Sequence, residues 1–439
     1  MHRKNVNVGI IGLGTVGMGT LNVLLENRET IINKTGLNIN VKSVCDLKIN
    51  NISSELLKGV QVKTADMNEI LNDSEIDIVV ELIGGYTVAK SIIMSAFDNG
   101  KHVVTANKAL LAVDGKDIFK KSEEKGLYLG FEGSVGGGIP IIRVIKEDLA
   151  ANNVNEIYGI INGTANYILS KMESEGKEFD EVLKEAQRLG YAEADPTFDV
   201  EGIDTAHKIA ILSSIAFQTI VPFEEVFVEG VSNIKQVDID FAKKLNCKIK
   251  LLAIAKKHAD DIEVRVHPTI IPERYILSKV NDVFNAIYIV SDKVDRTIHY
   301  GRGAGSLPTG SAVAGDIINI ARDIVSCGKK RVPTLGFQTD YEPQYPVRDI
   351  NEINSSFYLR FSALDKPGVL SKIAGVLGKY GISIKSAIQP GDRAPNDVVP
   401  LVFMTHETKG RNVNDAVAEI DSLEYVRDKT VVLRVEGSR

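Results

Sequence analysis

The rhythm of apolar and polar positions divides the chain into stretches of different character. From about residue 6 to 130, short β-branched runs alternate with segments of helical period. Strands are predicted at Val6–Ile11, Asn38–Asp46, Asp77–Ile83 and Lys101–Thr105. A helix is predicted over Thr20–Asn27, after the glycine-rich Gly12–Gly19. Strands alternating with helices imply right-handed βαβ crossovers and a parallel sheet.

The rhythm changes between about 131 and 300. A strand is predicted at Val154–Ile161 and a helix at Thr164–Ser174. A second helix spans Asp180–Leu189, with Asp180 as N-cap and Gly190 just past its end. A long helix over Asp199–Gln218 and strands at Ile262–Pro268 and Asn285–Val290 complete an α+β pattern. Residues 301–326 read as a glycine-rich turn and a helix, Ala312–Ile324, and 327–350 as a linker. The last stretch gives strand Phe357–Ala363, helix Gly368–Tyr380, strand Ile382–Gln389, loop Pro390–Asp397, strand Val398–Met404, helix Asn412–Asp421 and strand Val431–Val435. That order is βαββαβ, a ferredoxin-like unit. The predicted class is α/β. Residues 1–135, completed by 300–326, are predicted as one α/β domain, 136–299 as an α+β domain, and 351–439 as a C-terminal module.

Composition narrows the function classes. The 439 residues carry 52 basic and 58 acidic side chains, a formal net charge of −6. That mild excess gives no electrostatic footprint for nucleic acid or an anionic membrane. Apolar runs are broken well short of ~20 residues, so no bilayer-spanning helix is expected. The start of the chain lacks the pattern of a signal peptide. The three cysteines, Cys45, Cys247 and Cys327, are far apart, and the seven histidines form no metal-ligand cluster. A disulfide framework and a transition-metal site are therefore not expected, and a cytoplasmic location fits.

The first chemical motif is Gly12-Leu13-Gly14-Thr15-Val16-Gly17, which follows a strand and opens a helix. The first glycine permits the tight turn, the second lets a pyrophosphate approach, and the third lets helix pack on strand. The free N–H groups and dipole of the helix start then favour the anion. Strand two ends at Asp46, placed for the adenosine ribose, though later than the usual spacing; the alternative is a plain strand-ending loop residue. Strand four ends in Thr105-Ala106-Asn107-Lys108, where ligands of open α/β sheets lie. By position alone the alternative for Lys108 is an ordinary solvated lysine.

The densest chemistry runs from Gly190 to Lys208. Tyr191, Glu193, Asp195 and Asp199 precede a helix on which Asp204 and Lys208 share one face. Ile211 and Ile215 continue that stripe, so the face turns inward. Burial lowers a lysine pKa, while a neighbouring carboxylate opposes the shift and orients the amine. Such a lysine can hand a proton to a carbonyl oxygen as hydride arrives. The competing reading is a surface i,i+4 ion pair. His207 points about 100° away on the helix and reads as structural. Asn162-Gly163-Thr164 opens another helix, either as a carboxylate-binding start or as a plain cap.

Taken together, these motifs resemble homoserine dehydrogenase. Gly190 to Lys208 is similar to that family's signature stretch, and Thr105–Lys108, Asn162–Thr164 and Gly301-Arg302-Gly303-Ala304-Gly305 resemble further family segments. The resemblance covers about residues 6–330, and the remainder resembles an ACT domain. It implies that 1–135 with 300–326 is a Rossmann-type nucleotide-binding domain, that 136–299 is a catalytic and dimerisation domain, and that the reaction is reversible reduction of L-aspartate 4-semialdehyde to L-homoserine with NADP or NAD. That reaction lies on the route to threonine, methionine and isoleucine. Lys208 and Lys108 match catalytic lysines, with Asp204 as partner. Glu193 matches the residue that binds the substrate amino group, with Asp199, Tyr191, Gly163 and Thr164 lining the site. The cofactor set comprises Gly12, Leu13, Gly14, Thr15, Val16, Gly17, Asp46, Thr105, Lys108 and Gly303, the last equally readable as a hinge. Family members hold a sodium ion through main-chain carbonyls, matching Glu132, Val135, Gly137 and Ile139. Many place an arginine before the aspartate that ends strand two; Cys45 stands there in this chain, with Lys48 as a partial substitute, which opens use of NAD or of both cofactors.

The ACT resemblance implies self-association, as a homodimer or homotetramer, and binding of L-threonine near Asp365 and Gly368. A purely structural module is the alternative. Two rival functions remain at this level: another semialdehyde dehydrogenase, and a catalytically silent, amino-acid-sensing dinucleotide-binding protein.

Overall fold

The computed structural model describes residues 4–326, 330–338, 345–389 and 397–437. They divide into two compact units. One comprises residues 1–161, 204–226 and 284–345, the other 162–203, 227–283 and 346–439.

The first unit is built on a six-stranded parallel sheet in the order Val62–Thr64, Leu37–Cys45, Lys4–Ile11, Ile78–Glu81, His102–Thr105, Leu129–Gly130. The first strand pairs Leu37–Cys45 on one side and Ile78–Glu81 on the other, so the strand order reverses beside Ile11 and Glu81. A reversal of this kind opens the crevice in which doubly wound sheets take their ligands. Val6, Val8, Ile10, Ile78 and Val80 are buried on a sheet covered on both faces. The strand cores follow expectation. The short strands Val62–Thr64 and Leu129–Gly130 give no periodic signal and escape it.

Two helix boundaries differ from the sequence reading. The helix after the first glycines begins at Thr15, not Thr20, because Gly14 is its N-cap. The returning helix begins at Ser306, not Ala312. It crosses the first helix where Gly19 and Gly310 meet: a Cβ on Gly310 would lie 2.5 Å from the Gly19 backbone. Close approach of two backbones needs glycine on both helices. The same unit holds the antiparallel strands Val154–Ile160, Phe284–Ser291 and Asp295–Arg302. Arg302 ends the last of these, so only Gly303–Gly305 forms the turn expected from 301 onward.

In the second unit the antiparallel strands Cys247–Lys257 and Ile262–Pro272 pair along their whole length. The run Leu251–Ala255 is apolar at successive positions, a pattern that does not separate strand from helix. The C-terminal segment folds as βαββαβ, with strands ordered Val426–Val435, Asn354–Leu364, Val398–Thr405, Ile384–Ile388. The expected loop at 390–396 and linker residues 327–329 and 339–344, with Cys327, lie outside the described residues.

The helix expected from Asp199 to Gln218 is broken. Thr197–Val200 forms one turn, Gly202 takes φ +80°, and the helix restarts at Ile203 and ends at Phe217. The Val200 carbonyl accepts the Val231 N–H at 2.8 Å instead of continuing the helical ladder. The helix expected from Asp180 starts at Phe179, with Glu178 as N-cap; Asp180 lies in its first turn, where a carboxylate complements the dipole. Among the described residues no helix is long and apolar enough to cross a membrane.

Candidate active site

The carboxyl edge of the parallel sheet gathers the expected nucleotide residues. Gly12 adopts φ +99°, and a Cβ there would lie 2.6 Å from the Leu82 carbonyl. A Cβ on Gly17 would overlap the Gly12 carbonyl oxygen. Gly14 has open space instead. Turn, packing and open approach thus fall on the first, third and second glycine respectively, and a dinucleotide pyrophosphate fits this loop. Asp46 is tied to the same loop: its carboxylate accepts the Leu13 N–H and the Lys48 N–H, each at 2.8 Å.

Cys45 beside it is buried, and its thiol is pushed up to about 11, first by burial and then by the carboxylates of Asp46, Asp66 and Glu69. That neighbourhood is acidic. The missing side chain of Gly303 is accounted for by Asn285, which a Cβ would overlap.

The lysine–carboxylate cluster is the most unusual feature. Asp204 is 2% exposed and Lys208 is 7% exposed, so the pair is not the surface ion pair of the competing reading. Lys208 Nζ donates to Asp204 Oδ2 at 2.8 Å and to the Ile161 carbonyl at 2.7 Å. Lys108 Nζ lies 2.7 Å from the other oxygen, Asp204 Oδ1. Burial works against the Asp204 charge, but the ammonium groups of Lys208 and Lys108 outweigh it and hold the carboxyl far below its ordinary range. Lys108 reaches this point as the first residue of the helix Lys108–Lys125, capped by Asn107 Oδ1 on the Leu110 N–H at 3.1 Å. His207 packs on Phe223 at a ring separation of 4.3 Å and is pushed down to about 4 by burial, as its structural reading requires.

In the second unit, Asn162 both caps the helix Gly163–Glu175 and reaches Asp199. Its Oδ1 accepts the Ala165 N–H at 2.8 Å and its Nδ2 donates to Asp199 Oδ1 at 2.7 Å. Asn162 thereby satisfies the plain-cap reading and adds an orienting contact that spacing does not show. The Thr164 hydroxyl donates to the Tyr191 carbonyl at 2.7 Å, and the Tyr191 ring packs on Tyr167. Gln187 holds the Glu193 and Ala194 carbonyls. The turn is thus strapped down while the Glu193 side chain stays exposed.

The loop at Glu132–Ile139 is buried except at Gly138. The Glu132 carboxylate accepts the N–H groups of Ile141, Ile142 and Arg143. Gly137, at φ +57°, is pressed against Gly303, where a Cβ would overlap the backbone. A tight glycine turn offering backbone carbonyls, hard oxygen donors, fits an alkali ion. Among the described residues no group of three or more His, Cys, Asp or Glu could hold a metal through side chains.

Family models match three consecutive stretches. The NAD-binding domain of homoserine dehydrogenase matches residues 12–132, the homoserine dehydrogenase domain 140–318, and the ACT domain 357–425. Homoserine dehydrogenase of Pseudomonas aeruginosa is 46% identical over 433 residues, covering 99% of both chains. The crystal structure of a homoserine dehydrogenase from Thiobacillus denitrificans superposes with a TM-score of 0.93 at 45% identity and 99% coverage of both chains. A hyperthermophilic archaeal homoserine dehydrogenase mutant in complex with NADPH aligns over 74% of this chain and 100% of its own, with a TM-score of 0.62 and 27% identity. Identity at this level across the full length, together with a buried Asp204–Lys208 pair joined by the partly exposed Lys108 beside a dinucleotide fold, makes this chain a member of the homoserine dehydrogenase family, an oxidoreductase with an NAD-binding domain and a C-terminal ACT domain.

Proposed function

We propose that the protein interconverts L-aspartate 4-semialdehyde and L-homoserine in the cytoplasm, on the route to threonine, methionine and isoleucine. The observation that carries this reading is the Asp204 carboxylate held between the ammonium groups of Lys208 and Lys108. The bound nicotinamide supplies or accepts hydride at C4. Lys208 gives its proton to the aldehyde oxygen during reduction and takes it back from the hydroxyl during oxidation. Asp204 orients both amines and offsets their charge when substrate displaces water. Glu193 pairs with the substrate ammonium, a charge-assisted contact, with Asp199, Tyr191, Gly163 and Thr164 around it.

The dinucleotide is held by Gly12–Gly17, Asp46, Thr105 and Gly303. Acidic surroundings at Cys45 argue against a 2′-phosphate, so NAD serves at least as well as NADP. The carbonyls of Glu132, Val135, Gly137 and Ile139 would hold a sodium ion, whose fixed charge would brace their loop. In the ACT module, Gly368 takes φ +88° with open space where a Cβ would stand, and Asp365 accepts from Gln389 at 3.2 Å. The open turn supports L-threonine as the effector bound there, with the chain acting as a homodimer or homotetramer. Nicotinamide reduction driven by L-homoserine, with L-serine and L-threonine as comparators, tests the assignment. Turnover confined to homoserine supports it, and a preference for another hydroxy amino acid refutes it.

A further inference from the structure

Glu81 is a buried carboxylate that the reaction above does not use. It ends the strand Ile78–Glu81 beside the point where the strand order reverses, and it is fully inaccessible to solvent. Its Oε1 accepts the N–H groups of Ile83 at 2.9 Å and Gly84 at 3.2 Å, and its Oε2 accepts the Thr105 hydroxyl at 2.7 Å. Three donors around one carboxyl suit an ionised, acceptor-only group, although burial outweighs them and pushes the Glu81 carboxyl above its ordinary range. Burying such a charge is costly, and an apolar residue would complete this strand more cheaply.

The contacts continue outward from Glu81. Thr105 Oγ1 accepts the Asn107 N–H at 3.0 Å. Asn107 Nδ2 donates to the Gly85 carbonyl at 2.6 Å, closing a ring between the loops that follow two adjacent strands. Asn107 is also the cap of the helix that begins with Lys108. On the other side, Ile83, whose N–H is held by Glu81, and the Leu82 carbonyl before it form the wall that a Cβ at Gly12 would strike. One carboxylate therefore joins the wall of the glycine-rich turn to the start of the Lys108 helix.

We propose that Glu81 is a positioning residue: its carboxylate sets the two loops at the sheet's carboxyl edge, and through them the dinucleotide-facing turn and the Lys108 ammonium. This rests on reading that edge as the site of hydride transfer. Lys101 supplies the control. It is also buried, but it precedes the strand His102–Thr105 at the opposite edge and donates to the Asp73 and Ile76 carbonyls.

The test compares Glu81→Ala, Glu81→Gln and Lys101→Met for melting temperature, NADH dissociation constant by fluorescence, and kcat with homoserine. Glu81→Ala is expected to raise the NADH constant about tenfold and lower kcat about tenfold, with Glu81→Gln intermediate because it keeps one acceptor oxygen. Lys101→Met is expected to lose thermal stability while both constants stay within about twofold. Wild-type constants in folded Glu81→Ala, or equal losses in Lys101→Met, overturn the proposal. If Glu81→Ala does not fold, Glu81→Gln against Lys101→Met decides in the same way. NADH binding needs no substrate, so failure of the homoserine assignment would show as absent turnover in the wild type and leave this comparison intact.

Discussion

Lys108 Nζ lies 2.7 Å from Asp204 Oδ1, although the two residues belong to distant segments of the chain. Asp204 already binds Lys208 through its other oxygen, so one buried carboxylate serves two amines. Each charge is costly to bury alone and tolerable in the cluster. The arrangement concentrates proton-donating groups at one point near the carboxyl edge of the parallel sheet.

The three glycines of the nucleotide loop should respond differently to alanine. A methyl on Gly17 would overlap the Gly12 carbonyl, so Gly17→Ala should lower the melting temperature and abolish dinucleotide binding. Gly14 faces open space, so Gly14→Ala should keep the wild-type melting temperature while weakening NADH binding about tenfold or more, because the methyl occupies the pyrophosphate approach. Thermal denaturation and fluorescence titration of the two variants check this.

Stability should fall as the solution is acidified from about pH 6.5 to about pH 4. His102 and His207 are each pushed down to about 4, chiefly by burial, from an ordinary value of 6.5. Between those values the unfolded chain binds protons that the folded chain refuses, so protonation favours unfolding. His102 Nδ1 accepts the Tyr128 N–H at 3.0 Å, a contact that needs the neutral ring. Urea midpoints at pH 7.5, 6 and 5 should decline, and His102→Gln should reduce the slope.

Cofactor choice follows from the end of the second strand. Three carboxylates surround Cys45, so kcat/KM with NAD should equal or exceed that with NADP. Asp66→Asn and Glu69→Gln together should raise NADP use by about three- to tenfold, by removing repulsion of the extra phosphate. Steady-state rates with both cofactors measure the ratio. A wild-type protein that strongly prefers NADP contradicts this reading.

Much of the nucleotide half is legible in the sequence, because each local signal agrees with the fold it enters. Gly12, Gly14 and Gly17 follow a strand and open a helix, Asp46 comes just after the strand ending at Cys45, and Thr105 ends its own strand. The Asp204–Lys208 spacing likewise exposes the pair on one helix face. The contact with Lys108 is not legible, since no period links the two segments. Glu81 is hidden for a related reason. A carboxylate ending the run Ile78–Val80 before Gly84-Gly85 reads as a solvated strand end, and only the neighbouring strand shows that Thr105 meets it. Gly202 breaks the long helix because Val231 takes the Val200 carbonyl, a tertiary contact that overrides helix propensity.

The most direct measurement is homoserine-driven nicotinamide reduction by the wild type beside Lys208→Ala and Asp204→Asn. Lys208→Ala should keep the fold and lose about 10²–10⁴ in kcat, as expected for removal of the proton-transferring group. Asp204→Asn should lose less, about 10- to 100-fold, because the amines remain but are no longer oriented. A folded Lys208→Ala variant that turns over homoserine at the wild-type rate would contradict the assignment of the proton to Lys208.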